Sequence, residues 1–547
     1  MLYISTVLLS VFLTVSLIPM MTKLAERFQF VDVPNPRKVH TRPVPRIGGF
    51  AMALGAFVPI VLWTSVDDFV RSYLIAAAVL VIFGLLDDLR GLGYKAKFAG
   101  QIAAAVIVVV PGGVRIDSLG GLLPCCLEIP EGFAIALSIV AIVGVTNAIN
   151  LSDGLDGLAG GISLLGFCCI CYLAYLTGDT SALFLSLALA GAIFGFLRYN
   201  TYPATLFMGD TGSQLLGFSA IVLAIRVTQA STPLSPVLPL LILGFPVLDT
   251  LTVMVERIRS GRSPFSPDTN HFHHRLVRFG LYHTEAVFII YAIQAAMIIA
   301  AILFKYHSDW MLVMAYVLFA GAVIGSFAVA DRTGFTVKRS SLIDTNVKGT
   351  LRKIKDRNVI IRLSFALSKI AVPAVLVWSS LQLSHVPGYA AVISLLFVAA
   401  LLIVRLFARA HLGLCLRCIL FLTIPLLLYL VEQGRAAWMR NELVSAYHAS
   451  YGVIAFLVFL VVKYSRRKTG FKATPMDFLI VFIAVVVPNL PDRSIQSFQL
   501  GRLAVEIVVL LFGCEVLIKE LREKLDLVVA VTFVTLIVSG VRGLIPS

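Results

Sequence analysis

Apolar residues run through this chain in long stretches, separated by short polar connectors, from Leu2 almost to the C-terminus. Each stretch is near the ~20 residues that a helix needs to cross the hydrocarbon of a bilayer. No water is present there to satisfy a free backbone N–H or C=O, so a spanning run of this kind implies a helix. The period-two alternation of a membrane barrel is absent. The pattern predicts helices over residues 2–20, 48–64, 70–86, 97–111, 133–149, 160–177, 181–198, 213–229, 236–254, 286–304 and 310–329. After a basic connector it predicts 361–383, 387–404, 412–431, 448–464, 475–488, 501–517 and 525–542. The expected fold is all-α, a polytopic integral membrane protein with about eleven spans in a core and about seven in a C-terminal extension. The first stretch has no basic residue ahead of it and no small-residue cleavage site, which reads as a retained helix.

Composition agrees with that pattern. Hydrophobic residues make up 59% of the chain and charged ones 14%, with 45 Lys and Arg against 30 Asp and Glu. A net charge of +15 could point to nucleic acid, but no basic and aromatic surface stretch accompanies it. Basic loops held on the cytoplasmic side beside anionic lipid account for it better. Lys23, Arg27, Arg37, Lys38, Arg42 and Arg46 place the first connector inside and the N-terminus outside. Strict alternation then puts 87–96, 150–159, 199–212 and 255–285 on the same inner face. The eight cysteines, including the Cys415–Cys418 pair, read as small apolar packing residues.

Four of these inner loops carry polar residues that a plain connector does not need. "GLLDDLRGLGYKAKF" supplies Asp87, Asp88, Lys95 and Lys97; "NAINLSDGLDGLAGG" supplies Asn147, Asn150, Asp153 and Asp156. "RYNTYPATLFMGDTGS" carries Asn200, Phe207 and Asp210, and "SPFSPDTNHFHHRL" carries Asp268, His271, His273, His274 and Arg275. Taken singly, an Asp at a helix end is often a cap worth about 1 kcal/mol. Together, Asp87, Asp88, Asp153, Asp156 and Asp210 converge on one membrane face, where close like charges repel by ~4 kcal/mol per pair at a surface-like dielectric. Cations must offset that repulsion, and hard oxygen donors favour Mg²⁺ or Mn²⁺. The histidines do not make a zinc set, since no second ligand pair at matched spacing accompanies them. Carboxylates, a divalent ion, His and Arg at an inner leaflet suit chemistry on phosphates.

These motifs, in this order and with "PRIGGF" at 45–50, resemble the polyprenyl-phosphate N-acetylhexosamine-1-phosphate transferases of glycosyltransferase family 4 across roughly residues 1–330. The resemblance implies transfer of a sugar 1-phosphate from a UDP-sugar donor to a polyprenyl phosphate acceptor, with release of UMP. It implies a Mg²⁺ site centred on Asp210 with Asp153, and catalysis by Asp87 and Asp88, one of them the base. It places Asn200, Asp156 and Phe207 near the uridine, with Asn150 and Asp153 ordering the same loop. His271, His273, His274 and Arg275 would hold the diphosphate, Lys97 the lipid phosphate, and Arg37, Lys38 and His40 would close over the donor. "HFHHRL" is closest to the UDP-GlcNAc branch, whereas enzymes for UDP-MurNAc-pentapeptide tend to carry three consecutive histidines with an acid two on. Modified N-acetylated sugars stay open as donors. The implied setting is the bacterial cytoplasmic membrane, with membrane lipids and a second copy of the chain as partners, and cell-envelope polysaccharide as the product.

The organisation expected is a transferase core over 1–330, a basic connector over 331–360 and a membrane region of unknown role over 361–547. That last region matches no family motif and shows no catalytic cluster in sequence. The competing class is a transporter or flippase for a lipid-linked sugar, but such proteins keep their charges near the midplane within internal repeats. An inactive binding member is disfavoured by the intact Asp87, Asp88, Asp210 and histidine motifs.

Overall fold

The computed structural model describes residues 2–27, 30–32, 43–124, 129–229, 232–263, 270–337, 359–434, 438–464, 500–521 and 525–544. The chain divides into two compact units, Met1–Lys338 and the residues beyond it. Twelve of the described helices are long and apolar enough to cross a membrane, eight in the first unit and four in the second.

In the first unit α1 (Leu2–Arg27) is followed by α2 (Gly48–Trp63), α3 (Asp68–Arg90), α4 (Tyr94–Val109) and α5 (Glu131–Leu151). Then come α6 (Leu158–Thr177), α7 (Thr180–Asn200) and α8 (Gly209–Gln229). The unit ends with α9 (Leu238–Ile242), α10 (Gly244–Arg259), α11 (Phe272–Arg278), α12 (His283–Phe304) and α13 (Asp309–Arg332). The centre of the bundle is α8, which packs against α2, α3, α5 and α6 and is buried along almost its whole length. A helix polar at its first turn and apolar thereafter can hold this position only if its polar end meets other polar groups.

Three elements depart from the sequence expectation. A two-residue ladder joins β1 (Val31–Asp32) to β2 (Val44–Pro45), antiparallel, with Val31 opposite Pro45. A short helix, α11, forms within the histidine segment. The expected span at 236–254 is broken at Leu243 into α9 and α10, beside Gly244 and Pro246, whose ring nitrogen has no hydrogen to give Ile242 O. The break is tolerable at membrane depth because other helices satisfy the freed carbonyls: Gln294 Nε2 donates to Ile242 O at 2.7 Å and Tyr316 Oη to Gly244 O at 3.3 Å.

The second unit contains α14 (Val359–Leu381), α15 (Gly388–Phe407), α16 (Leu412–Gln433), α17 (Asn441–Tyr464), α18 (Leu500–Leu521) and α19 (Asp526–Leu544). The expected helix at 475–488 lies outside the described residues. This unit has its own apolar core, in which Leu416, Leu510 and Leu536 are fully buried. It also contains polar pairs between helices: His448 Nδ1 lies 2.6 Å from Glu506 Oε1, Arg502 Nη2 2.7 Å from Glu432 Oε1 and Arg417 Nε 3.1 Å from Glu515 Oε2. Beside the first pair, the hydroxyls of Ser379, Tyr447 and Tyr451 are linked at 2.8 and 2.6 Å. Paired charges inside a bundle favour one helix arrangement over others.

A first prediction follows from the separate cores. A chain ended after residue 338 is expected to purify in detergent as a monodisperse species with a cooperative thermal transition. Aggregation of that fragment, alongside a well-behaved full-length chain, would show that the first unit does not fold on its own.

Candidate active site

The site forms where the ends of α3, α4 and α5 meet the start of α8. Helix α3 stops because Gly91 takes a left-handed conformation (φ 65°) and its N–H donates to Asp87 O at 2.8 Å, which leaves Asp87 and Asp88 on the last turn. Two residues beyond, α4 begins and carries Lys97 in its first turn. Its ammonium lies 2.6 Å from Asp87 Oδ2 and 2.6 Å from Asp210 Oδ2. One lysine therefore bridges two carboxylates, from α3 and α8, that stand 123 positions apart in the chain.

Asp88 does different work from its neighbour. Its Oδ1 accepts the Asp210 N–H at 2.9 Å, and its Oδ2 accepts the Thr211 N–H at 3.1 Å and the Thr211 hydroxyl at 2.7 Å. These N–H groups belong to the first turn of α8, which has no partners within its own helix, so Asp88 caps α8 from another helix. Gly209 permits the approach: its φ is +67°, and a Cβ there would lie 2.5 Å from Asp88 Oδ2. On its other side Asp210 accepts from Asn150 Nδ2 at 2.7 Å, and the same amide donates to Ser213 Oγ at 2.7 Å. Behind this shell, Asn147 donates to Gln101 at 2.7 Å and Gln101 to Gln214 at 3.3 Å.

The glycine-rich segment after α5 closes the site. Asp153 has its carboxyl pushed up to about 7, first by burial and then by the negative charges of Asp210, Asp88 and Asp156, with Arg46 opposing the rise. Arg46 itself pairs with Asp32. Asp156 Oδ2 accepts the Ala204 N–H at 2.9 Å, and its own N–H donates to His283 Nε2 at 2.8 Å. "PRIGGF" is tied to "LFMGD" by backbone bonds: Phe207 N–H to Pro45 O, Gly48 N–H to Phe207 O and Gly49 N–H to Met208 O, at 2.9 to 3.0 Å.

Several of the expected site residues make other contacts in this structure. Asn200, expected at the uridine, is buried, with Oδ1 accepting the Gly157 N–H and Nδ2 donating to Leu206 O, both at 2.9 Å. Its amide is consumed in holding two loops together. Phe207 contributes the backbone tie above and is half-buried. Lys97, expected at a lipid phosphate, lies on the two carboxylates instead. Arg275 pairs with Asp331 and, at 3.4 Å, with Glu256, and lies over the Phe327 ring. Lys38 and His40, with Arg37 and Asp268, lie outside the described residues.

The histidine segment does reach the glycine-rich loop. His273 packs on Gly154, where a Cβ would fall 2.2 Å from its Nε2, and that nitrogen is buried with no hydrogen-bond partner among the described residues. Burial, then the neighbouring His274, His271 and His283, hold His273 well below the usual histidine range. His271 and His273 stack at 5.7 Å between ring centres, and His274 lies 4.2 Å from His273. Sequence reasoning missed Asp249 and His283. Asp249 was a lone acid in an apolar run, and His283 stood at the start of a span; neither has a motif neighbour.

Among the described residues no three His, Cys, Asp or Glu side chains already form a metal-ligand group. The oxygen donors nonetheless suit a hard divalent ion in kind, and the charges of Asp210, Asp88 and Asp156, which add to burial in raising Asp153, are ones a cation would relieve. The sign of the pH dependence follows. Between the ordinary value of 3.8 and about 7 the folded protein holds a proton on Asp153 that the unfolded chain releases, so stability falls as pH rises through that window. In EDTA, thermal melts are expected to drop from pH 5 to pH 8, and Asp153→Asn is expected to flatten that slope and to melt higher than the parent at pH 8. An unchanged slope would show that Asp153 does not carry the excess charge.

Comparison with known proteins agrees with this geometry. Residues 70–228, from α3 through α8, match the family described as glycosyl transferase family 4. The chain is 38% identical over 306 residues to the probable undecaprenyl-phosphate N-acetylglucosaminyl 1-phosphate transferase of Bacillus subtilis (strain 168), which covers 55% of this chain and 84% of that protein. It is 36% identical over 303 residues to the decaprenyl-phosphate N-acetylglucosaminephosphotransferase of Mycobacterium leprae (strain TN), covering 49% and 75%. With the undecaprenyl-phosphate alpha-N-acetylglucosaminyl 1-phosphate transferase of Escherichia coli (strain K12) it shares 30% over 364 residues, covering 65% and 96%. With most of each relative's length matched and the carboxylate motifs assembled at one site, the chain belongs to glycosyl transferase family 4, the polyprenyl-phosphate N-acetylhexosamine-1-phosphate transferases.

Proposed function

We propose that the protein transfers N-acetylglucosamine 1-phosphate from UDP-GlcNAc to a polyprenyl phosphate such as undecaprenyl phosphate, on the cytoplasmic face of a bacterial inner membrane. An oxygen of the lipid phosphate attacks the sugar-linked phosphorus of the donor. The bond from that phosphorus to the bridging oxygen breaks, UMP departs with that oxygen, and a lipid-linked diphosphate sugar remains. The observation that carries the reading is the Asp87–Lys97–Asp210 bridge beside a capped α8, in a chain whose relatives are named for this transfer.

The two adjacent acids divide the labour. Asp88 has three donors on its oxygens and positions Asp210 by fixing the start of α8. Asp87 is held through its side chain by Lys97 and Asp210, without the backbone donors that fix Asp88 among the described residues, so it is the acid placed to accept the proton of the incoming lipid phosphate. Lys97 releases its carboxylates as anionic substrates arrive and then faces the lipid phosphate, which reconciles its observed place with its expected one. Asp210 and Asp153 would hold Mg²⁺, or Mn²⁺, which when bound neutralises the diphosphate and the charge developing on the leaving UMP. His273, neutral and buried against Gly154, shapes the wall of the donor site without competing for a proton. The choice of sugar rests on a few pocket contacts worth ~1–3 kcal/mol each.

Purified protein given undecaprenyl phosphate and UDP-GlcNAc is expected to release UMP with Mg²⁺ and to stop in EDTA. Asp87→Asn should lower kcat by about 10²–10⁴-fold, the range lost with a general base. Release of UMP that persists in EDTA, or a near-normal rate for Asp210→Ala, would remove this site from the reaction.

A further inference from the structure

The three histidines of the α11 segment are not equivalent, and the difference originates in α10. Asp249 and His271 are both buried, 2% and 4% exposed. Asp249 Oδ2 lies 2.9 Å from His271 Nδ1, and Oδ1 accepts the Phe272 N–H at 2.8 Å. The two oxygens of one carboxylate thus hold a ring and the adjacent backbone. An ionised carboxylate only accepts, so the Nδ1 nitrogen carries a hydrogen by assignment from this network. The ring nitrogen left to face a ligand is Nε2. His273 differs: its Nε2 rests against Gly154, buried and without a hydrogen-bond partner among the described residues.

We propose that Asp249 is a positioning residue that acts through His271, fixing the imidazole so that Nε2 meets an anionic oxygen of a nucleoside diphosphate. The proposal rests on the reading of this segment as the diphosphate end of the donor site. The carboxylate holds the ring by its Nδ1 edge and so turns the Nε2 edge toward the phosphate, and the bond to Phe272 stops the segment from rotating the ring away. Partners behind a ligating histidine commonly change affinity by 10–100-fold when removed, which sets the size of the effect. A substitution in α10 is therefore felt at a ligand that Asp249 itself does not touch.

A double-substitution cycle on the full-length chain tests this with two readouts, UDP binding by calorimetry and the KM for UDP-GlcNAc in the UMP-release assay. Asp249→Ala and His271→Ala are each expected to weaken UDP binding about 10–100-fold, with the double variant no weaker than His271→Ala alone. The KM for undecaprenyl phosphate should stay within about twofold, and Asp249→Asn, which keeps the shape and one acceptor, should fall between parent and Asp249→Ala. Thermal melts identify any variant that fails to fold, in which case the Asp249→Asn and His271→Ala pair carries the cycle. Binding losses that multiply in the double variant, or an Asp249→Asn that binds UDP like the parent while His271→Ala does not, overturn the proposal. Coupled losses in UDP binding without any release of UMP would leave Asp249 in its role and overturn the transfer reading instead.

Discussion

Five carboxylates at one end of a helical bundle repel one another, and the first unit is arranged around containing that repulsion. Two devices contain it. Lys97 places a single positive charge between Asp87 and Asp210, and the exposed N–H groups at the start of α8 meet Asp88. The second device works because a helix N-terminus is the one part of a buried helix that is electropositive and short of partners. Neither device covers Asp153, whose carboxyl is raised to about 7 first by its burial and then by the charges of Asp210, Asp88 and Asp156. The site is thus left with capacity for a further cation, a fitting condition for a centre that must hold two phosphorylated substrates together.

The bundle supplies the precision this needs. Helix α8 is enclosed by neighbours over nearly all its length, so the position of Asp210 is set by packing along its whole span and by the cap at its end. The glycine-rich loop between α5 and α6 is tied at both sides, by Asn200 to Gly157 and by Asp156 to Ala204 and His283. The second unit, with its own core and its own interhelical ion pairs, answers to separate constraints.

Much of this was legible in the sequence for a physical reason: charge at the end of an apolar run is costly at membrane depth and is seldom placed there without a use. That reasoning found Asp87, Asp88, Asp153, Asp156 and Asp210, and the relative order of their loops. It could not separate Asp87 from Asp88, since adjacent residues differ only in which helix each faces. It did not see that Asn200 ties two loops through both ends of its amide, because a polar loop residue reads alike whether it holds backbone or ligand. The break at Leu243 was passed over because the hydrophobic run continues through it, although Gly244 and Pro246 stand beside it, and the helices that compensate for it lie 50 and more positions away. The ion pairs of the second unit were hidden for a similar reason, their partners standing 58 and 70 residues apart.

The most direct test of the central claim removes the internal cation. Lys97→Met keeps most of the length of the side chain and deletes its charge, leaving Asp87 and Asp210 facing each other. Thermal melts at pH 7.5 with EDTA are predicted to show this variant well below the parent, and added Mg²⁺ is predicted to raise it by more than it raises the parent. If Lys97→Met melts with the parent in EDTA and responds to Mg²⁺ no differently, the carboxylates are not held together by charge balance and the account is wrong.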